Sequence, residues 1–289
     1  MLALRTAPDT MPMSSTPQLT PSTYHRLAFG PAYGLTDIGT VRQSNQDNFL
    51  IDPALGIVAV ADGMGGHERG EVAAWLALRA LQGALAAADP APAARGAGDD
   101  ADPHTGGAAQ NRHVSAIVAA HRAVDAANAE VYEANVRAGH AEGDGMGTTL
   151  TGFWQAWSGG PLVVFHVGDS RLYRLRAGEL ALLTRDQSLY QQALEAGITQ
   201  DYPPRNLLLQ AIGPTDAVLP DVSLCPLLPG DVYLLCSDGL HGVVPDAAIA
   251  QQLQGANART LDRCCAALVA LAKQYGSRDN ITAVLALAG

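Results

Sequence analysis

Gly56-Ile57-Val58-Ala59-Val60-Ala61-Asp62-Gly63-Met64-Gly65-Gly66-His67 is the stretch on which the reading of this chain turns. Its first half is a short apolar run, rich in β-branched residues and closed by turn residues, which predicts a buried strand. The strand ends on a carboxylate. The glycines that follow exceed what a turn requires. Glycine at such a place lets the backbone approach a ligand closely and frees carbonyl oxygens to face it.

The same pattern recurs on either side. Residues 162–167 form an apolar run ending at Gly168-Asp169, and residues 231–236 form one ending at Ser237-Asp238-Gly239. Asp47 precedes a short run at 48–51, and Asp279 precedes a β-rich stretch at 280–288. Residues 170–176 read as a hairpin partner turning at Ala177-Gly178, with Asp169 and Arg171 expected to fix the hairpin through a salt bridge. Helical periodicity covers residues 71–88, 114–138 and 261–275, with shorter pieces at 188–196 and 246–254. Helices come in blocks between groups of strands, which predicts an α+β fold with helices packed outside the sheets.

Composition bounds the function. The chain has 289 residues and a formal net charge of −10. That charge argues against a nucleic-acid footprint, which needs a basic face, and against an anionic membrane surface. Lys273 is the only lysine among 18 basic residues, and Gln274 follows it, so the Gly-Lys-Ser/Thr of a P-loop is absent. The four cysteines, Cys225, Cys236, Cys264 and Cys265, show no metal-site spacing and read as small buried hydrophobes in a reducing compartment. Residues 1–27, rich in Pro, Ser and Thr, read as a disordered leader. Residues 89–113 read as a low-complexity surface loop within one domain spanning 28–289. No apolar stretch suits a confident membrane span. The expectation is a soluble cytoplasmic protein.

One Asp-Gly at a strand end is usually a turn. Several strand-end carboxylates that converge would repel one another unless a cation neutralised them. Carboxylate and carbonyl oxygens suit hard ions such as Mg²⁺ or Mn²⁺. Arg42 lies five residues before Asp47, and its planar fork matches two phosphate oxygens.

With these residues in view, the chain resembles the metal-dependent protein phosphatases of the PPM family, the protein phosphatase 2C type, in its bacterial single-domain form. The resemblance runs from about Tyr33 to Ala288. It rests on Arg42 with Asn45-Gln46-Asp47, Asp62-Gly63-Met64-Gly65-Gly66-His67, Gly145-Met146-Gly147-Thr148-Thr149, Gly168-Asp169-Ser170-Arg171, Asp186-Gln187-Ser188, Ala211-Ile212-Gly213, Ser237-Asp238-Gly239 and Asp279-Asn280-Ile281-Thr282, in the family's order.

The resemblance implies a four-layer αββα sandwich with two central antiparallel β-sheets flanked by helices. It implies hydrolysis of phosphoserine and phosphothreonine in proteins by water activated between two Mn²⁺ or Mg²⁺ ions, opposing a bacterial Ser/Thr kinase. Asp62 would bridge both ions and the Gly63 carbonyl would bind one. Asp47 would act largely through water, and Asp238 and Asp279 would hold the other side. Arg42 would grip the substrate phosphate. Asp144 stands where bacterial members hold a third ion, shared with Asp238. Residues 187–211 would form a flap near the site, and a monomer is expected.

Departures from the family pattern are specific. Gln46 replaces a usual Glu and Gln187 a usual His, and Met64 stands where eukaryotic relatives carry a general-acid His. His67 is the nearby candidate acid, with a structural loop role equally open. His166 and His241 read as packing or loop residues. Two other functions stay open: a phosphoprotein-binding scaffold without turnover, and a phosphatase for small phosphate monoesters. Cysteine-phosphatase and G-x-S-x-G signatures are absent.

Overall fold

A computed structural model describes residues 17–65, 69–88 and 107–289. Two sheets lie at the centre. The first takes β1 (His25–Leu27), β2 (Gly30–Asp37), β12 (Ile281–Leu287), β11 (Val232–Cys236), β8 (Arg171–Arg176) and β9 (Glu179–Leu182), in that order. The second takes β10 (Asp221–Cys225), β7 (Leu162–Val167), β6 (Leu150–Trp154), β4 (Ile57–Met64) and β3 (Asp47–Asp52), with the short β5 (Gly147–Thr148) pairing the end of β4. The named strand pairs are antiparallel throughout.

Strand periodicity builds three cores. Side chains alternate across a strand, so every second residue faces the opposite layer. On β4, Val58 and Val60 join Phe49, Phe153 and Tyr233 between the sheets. Ile57, Ala59 and Ala61 turn outward to α1 (Gly70–Ala87) and α2 (Gly107–Ala138). On β11, Tyr233 and Leu235 face the inter-sheet core, while Val232, Leu234 and Cys236 meet α5 (Asp246–Leu253) and α6 (Leu261–Gln274). Both faces of each sheet are covered, which is why these strands read as continuous apolar runs rather than as alternating ones. The layers are helix, sheet, sheet, helix, as expected.

Three expectations are corrected. The leader does not extend through residue 27: Thr20 is buried and its hydroxyl accepts the Ile51 amide, Asn48 ties down Pro17 and Leu19, and β1 begins at His25. The segment expected to be loop through 113 is helical from Gly107, where α2 starts, and the rest of that expected loop, 89–106, lies outside the described residues. Residues 162–167 and 170–176 form no hairpin, because β7 and β8 belong to different sheets and Gly168-Asp169 carries the chain between them. Arg171 accordingly pairs with Asp186, donating from Nε and Nη2 at 2.8 Å each. Gly168 has φ +103°, a backbone that glycine alone adopts readily.

The four cysteines are buried and unpaired. Among the described residues, no helix is long and apolar enough to cross a membrane.

Candidate active site

The ends of strands from both sheets meet at one cleft of about 280 Å³. Asp62 and Gly63 close β4. Asp238 opens the short helix α4 (Asp238–His241) after β11, and Asp279 stands just before β12. With Arg42, all of them line the cleft. Asp47 lies beneath it, directly opposite Asp62 in the β3–β4 register.

Glycine has an unforeseen purpose in the two Asp-Gly pairs. Neither is a turn. A Cβ on Gly63 would collide with the carbonyl oxygens of Gly70 and Gln46, and one on Gly239 with the Asn280 carbonyl. The missing side chains let the Asp62 strand sit against α1, and let the Asp238 segment sit against the Asp279 segment. Close backbone approach is thus what brings the carboxylates together.

Asp47 is held from the other sheet. Ser237 Oγ and Thr282 Oγ1 donate to its Oδ2 at 2.7 and 2.6 Å. Its Oδ1 is buried without a hydrogen-bond partner. Such a group is costly unless something else satisfies it. Burial pushes the Asp47 carboxyl up to about 7, with Asp238 and Asp279 adding to the rise against the two hydroxyl donors. Burial likewise raises Asp62 well above the ordinary carboxylate range, with Asp47 and Asp238 the next causes. Asp238 is raised by burial and by Asp279. Crowded, buried carboxylates that resist ionising are what a site for cations looks like before the cation arrives.

The donor set fits hard divalent ions. Oxygen ligands predominate, an orphan carboxylate oxygen lies below, and the Gly63 main chain lines the cleft. Among the described residues, no three Asp, Glu, His or Cys side chains are grouped closely enough to hold an ion by themselves. Water and main-chain carbonyls would therefore have to complete each shell.

Arg42 is the only cation among the described residues that line the cleft. Its Nη2 donates to Asp279 Oδ2 at 2.6 Å, and its side chain is half exposed. The backbone of Asp62 is fixed by two threonines: its amide donates to Thr149 Oγ1 at 2.9 Å, and its carbonyl accepts from Thr148 Oγ1 at 2.9 Å. Gln46 donates to Glu71 Oε2 at 3.3 Å, a contact that a Glu at 46 would turn into like-charge repulsion.

Two predicted residues are not placed with the rest. Asp144 is exposed, in the turn after α2, and does not line the cleft. His67 lies outside the described residues. One residue was missed. Asp169, expected to fix a hairpin, lines the cleft instead, and burial with Asp238 and Asp186 pushes its carboxyl up to about 8. Its sequence signal, a carboxylate after an apolar run, was the same as that of Asp62 and Asp238.

Residues 187–211, the segment expected to form a flap, close on themselves at the base. Leu189 N donates to Leu207 O at 2.8 Å and Leu209 N to Gln187 O at 2.7 Å. Gln187 is the anchor: Gly168 N donates to its Oε1 at 3.0 Å, and its Nε2 donates to Asp221 at 3.1 Å. A neutral amide can serve both partners at once. His166 is a packing residue, joined to Thr151 Oγ1 at 2.8 Å and to the Arg185 carbonyl at 3.0 Å.

Known proteins share the sequence and the fold. The sequence model of the family described as Protein phosphatase 2C matches residues 40–286. The serine/threonine phosphatase stp of Listeria innocua is 33% identical over 263 residues, covering 86% of this chain and 92% of the relative. The crystal structure of the Mycobacterium tuberculosis serine/threonine phosphatase PstP/Ppp superposes with a TM-score of 0.71 at 32% identity, over 89% of this chain and 97% of that one. The catalytic domain of PstP in complex with two manganese ions gives a TM-score of 0.68 at 32% identity, over 88% and 96% of the two chains. Matched in sequence along most of its length and in fold by solved phosphatases, this chain belongs to the protein phosphatase 2C family.

Proposed function

We propose that this chain removes phosphate from phosphoserine and phosphothreonine in proteins, using two divalent ions, Mn²⁺ or Mg²⁺. One observation carries the reading. Strand-end carboxylates from two different sheets converge on one cleft with Arg42, the one arginine among the described residues that line it, and the buried Asp47 beneath them keeps an oxygen with no protein partner.

Asp62, Asp238 and Asp279, with the Gly63 carbonyl, would hold the ions, and Asp47 would act from below through water. When bound, the ions supply charge neutralisation, Lewis acidity and water activation. The protein's own contribution is positioning. Ser237 and Thr282 fix one Asp47 oxygen, so the other is aimed without rotational freedom. Thr148 and Thr149 fix the Asp62 main chain. Arg42 grips the phosphate oxygens: only its Nη2 is engaged, with Asp279, which leaves its other N–H donors for the substrate. His67 is the proposed proton donor to the leaving oxygen. If it acts so, His67→Ala lowers kcat and flattens one limb of the pH–rate profile; a structural loop role leaves the profile's shape intact. For a third ion, Asp144 is the residue suggested by resemblance, whereas Asp169 is the carboxylate that lines the cleft beside Asp238.

Such an enzyme would oppose a Ser/Thr kinase as a cytoplasmic monomer, and its net charge of −10 disfavours an anionic membrane surface as partner. The test is phosphate release from a phosphothreonine peptide by purified protein, with and without Mn²⁺. Release that depends on Mn²⁺ is expected. Binding of the phosphopeptide without release, alongside an active control enzyme, would instead favour a non-catalytic scaffold. Faster turnover of small phosphate monoesters than of any phosphopeptide would favour a metabolite phosphatase.

A further inference from the structure

Asn280 lies in the molecule's interior, 4% exposed, immediately after Asp279. Both of its amide hydrogens are used and its oxygen accepts one hydrogen bond, and all three partners lie in one loop. Nδ2 donates to the Ile38 carbonyl at 3.0 Å and to the Ser44 carbonyl at 2.9 Å. Oδ1 accepts the Gln46 amide at 2.9 Å. These contacts bracket Arg42, which has no other anchor of comparable burial: its own side chain is half exposed and meets only Asp279 among the ion pairs of the described residues.

We infer that Asn280 is a positioning residue for phosphate recognition: it staples the 38–46 loop to the Asp279 strand end, so that the Arg42 guanidinium faces the cleft. This rests on the reading of Arg42 as the phosphate-gripping residue. The loop carries no regular secondary structure between β2 and β3. Its other ties sit at its margins or are long: Thr40 Oγ1 donates to the Ser277 carbonyl at 3.3 Å, Asn45 Nδ2 to Thr36 Oγ1 at 2.8 Å, and the Gly63 amide to the Gln46 carbonyl at 3.2 Å. Asn280 alone holds both sides of Arg42 at once. Gly39 sharpens the case. It has φ +78°, and a Cβ there would strike the Asp279 carbonyl, so the loop is pressed against the same strand end at that point too.

The geometry also separates two functions that share this corner. The Asp279 carboxylate receives the main-chain amide of Asn280 at 2.8 Å. That bond uses the main chain, so it is open to every residue at 280 except proline. Removing the Asn280 side chain should therefore release the Arg42 loop while leaving Asp279 oriented for metal. A general scaffold role would disturb both together.

The experiment uses the full chain. Inorganic phosphate is measured as a competitive inhibitor of the Mn²⁺-loaded enzyme, and Mn²⁺ is titrated calorimetrically into chelator-stripped protein. Asn280→Ala is expected to raise the phosphate inhibition constant about tenfold, the scale of loss from a small misplacement of a positioned group. Its Mn²⁺ affinity is expected to stay within about twofold of the parent. Arg42→Ala should raise the inhibition constant as well, and the double variant should be no worse than Arg42→Ala alone. Equal losses of Mn²⁺ and phosphate affinity, or multiplying effects in the double variant, would overturn the inference. So would an unchanged inhibition constant in Asn280→Ala when that of Arg42→Ala rises. An unchanged constant in Arg42→Ala would overturn the reading of Arg42 itself, and the inference with it. If Asn280→Ala does not fold, Asn280→Ser, which keeps a hydroxyl in the buried site, carries the same measurements.

Discussion

The floor of the cleft and the flap beside it are built on opposite plans. The floor is made of strand ends from two sheets, with Asp47 buried between them and hydrogen-bonded across the sandwich to Ser237 and Thr282. The flap contains one short helix, α3 (Leu189–Glu195), and otherwise irregular chain, and it exposes Leu194, Ile198, Tyr202, Leu207 and Leu209. Only Asn206 and Leu208 from it line the cleft. A rigid floor suits a reaction that demands fixed charges. A loosely built wall suits recognition of a variable surface. The contrast teaches that chemistry and selectivity should be separable by mutation here.

The largest effect should come from the floor. Asp62→Asn keeps shape but removes the central negative charge, so Mn²⁺ affinity and kcat/KM should both fall by at least about 10²-fold, measured by calorimetry and by phosphate release. If activity survived while a flap substitution abolished it, the division between floor and flap would be wrong.

The next effect concerns the same carboxylates without metal. Asp47 and Asp169 are raised to about 7 and about 8 in the folded protein, while an unfolded chain holds carboxylates near about 3.9. Between those values the folded state binds more protons than the unfolded state. Their stabilising contribution is complete below about pH 4 and is lost as pH rises through about 7 to 8. Metal-free protein should therefore melt at progressively lower temperature from pH 5 to pH 8, and Mn²⁺ should restore the loss by binding the folded state. A melting temperature that rises over this range in chelator would show that the floor carboxylates ionise freely. Ser237→Ala is a smaller probe of the same floor. Loss of one hydroxyl donor to Asp47 should weaken Mn²⁺ binding about tenfold. Because Ser237 Oγ also accepts the buried Thr282 amide at 3.0 Å, a fall in melting temperature should accompany it at low pH as well as high.

Legibility in the sequence followed the same division. The β4, β7 and β11 runs stood out because both faces of each strand are buried, so apolar residues are continuous. Strand β2 did not, because Gly30, Pro31 and Gly34 break its apolar signal, and Gly34 is required where the Phe49 ring packs against the strand. Edge strand β10 was missed because it is only five residues long, too short for its Asp-Val-Ser-Leu-Cys alternation to stand out. Asp62, Asp238 and Asp279 could be picked out as strand-end carboxylates. Asp169 shared their signal but was assigned to a hairpin, because a sequence does not reveal that consecutive strands belong to different sheets. The purpose of Gly63 and Gly239 was also hidden. Their role is set by contacts beyond the dipeptide itself, Gly70 and Gln46 against Gly63 and Asn280 against Gly239, not by local turn geometry.

The smallest expected effect lies in the flap, and it is the sharpest test of the contrast. Arg205 stacks over Tyr190, 4.3 Å from the ring centroid, and its Nη2 donates to the Tyr190 hydroxyl at 3.0 Å. Tyr190 in turn packs against Tyr202, with ring centroids 5.2 Å apart. This cluster stands one residue from Asn206 and so sets how that residue meets the cleft. A cation–π contact at an exposed site is worth about 0.5–1 kcal/mol, or roughly a two- to fivefold change in an equilibrium. Arg205→Ala should therefore raise KM for a phosphothreonine peptide by about that factor, with kcat and Mn²⁺ affinity unmoved. KM for a small aryl phosphate, too short to reach the flap, should stay constant. A matching rise for both substrates would place Arg205 on the phosphate itself. Recognition of the phosphoryl group would then be shared between flap and floor instead of resting on Arg42.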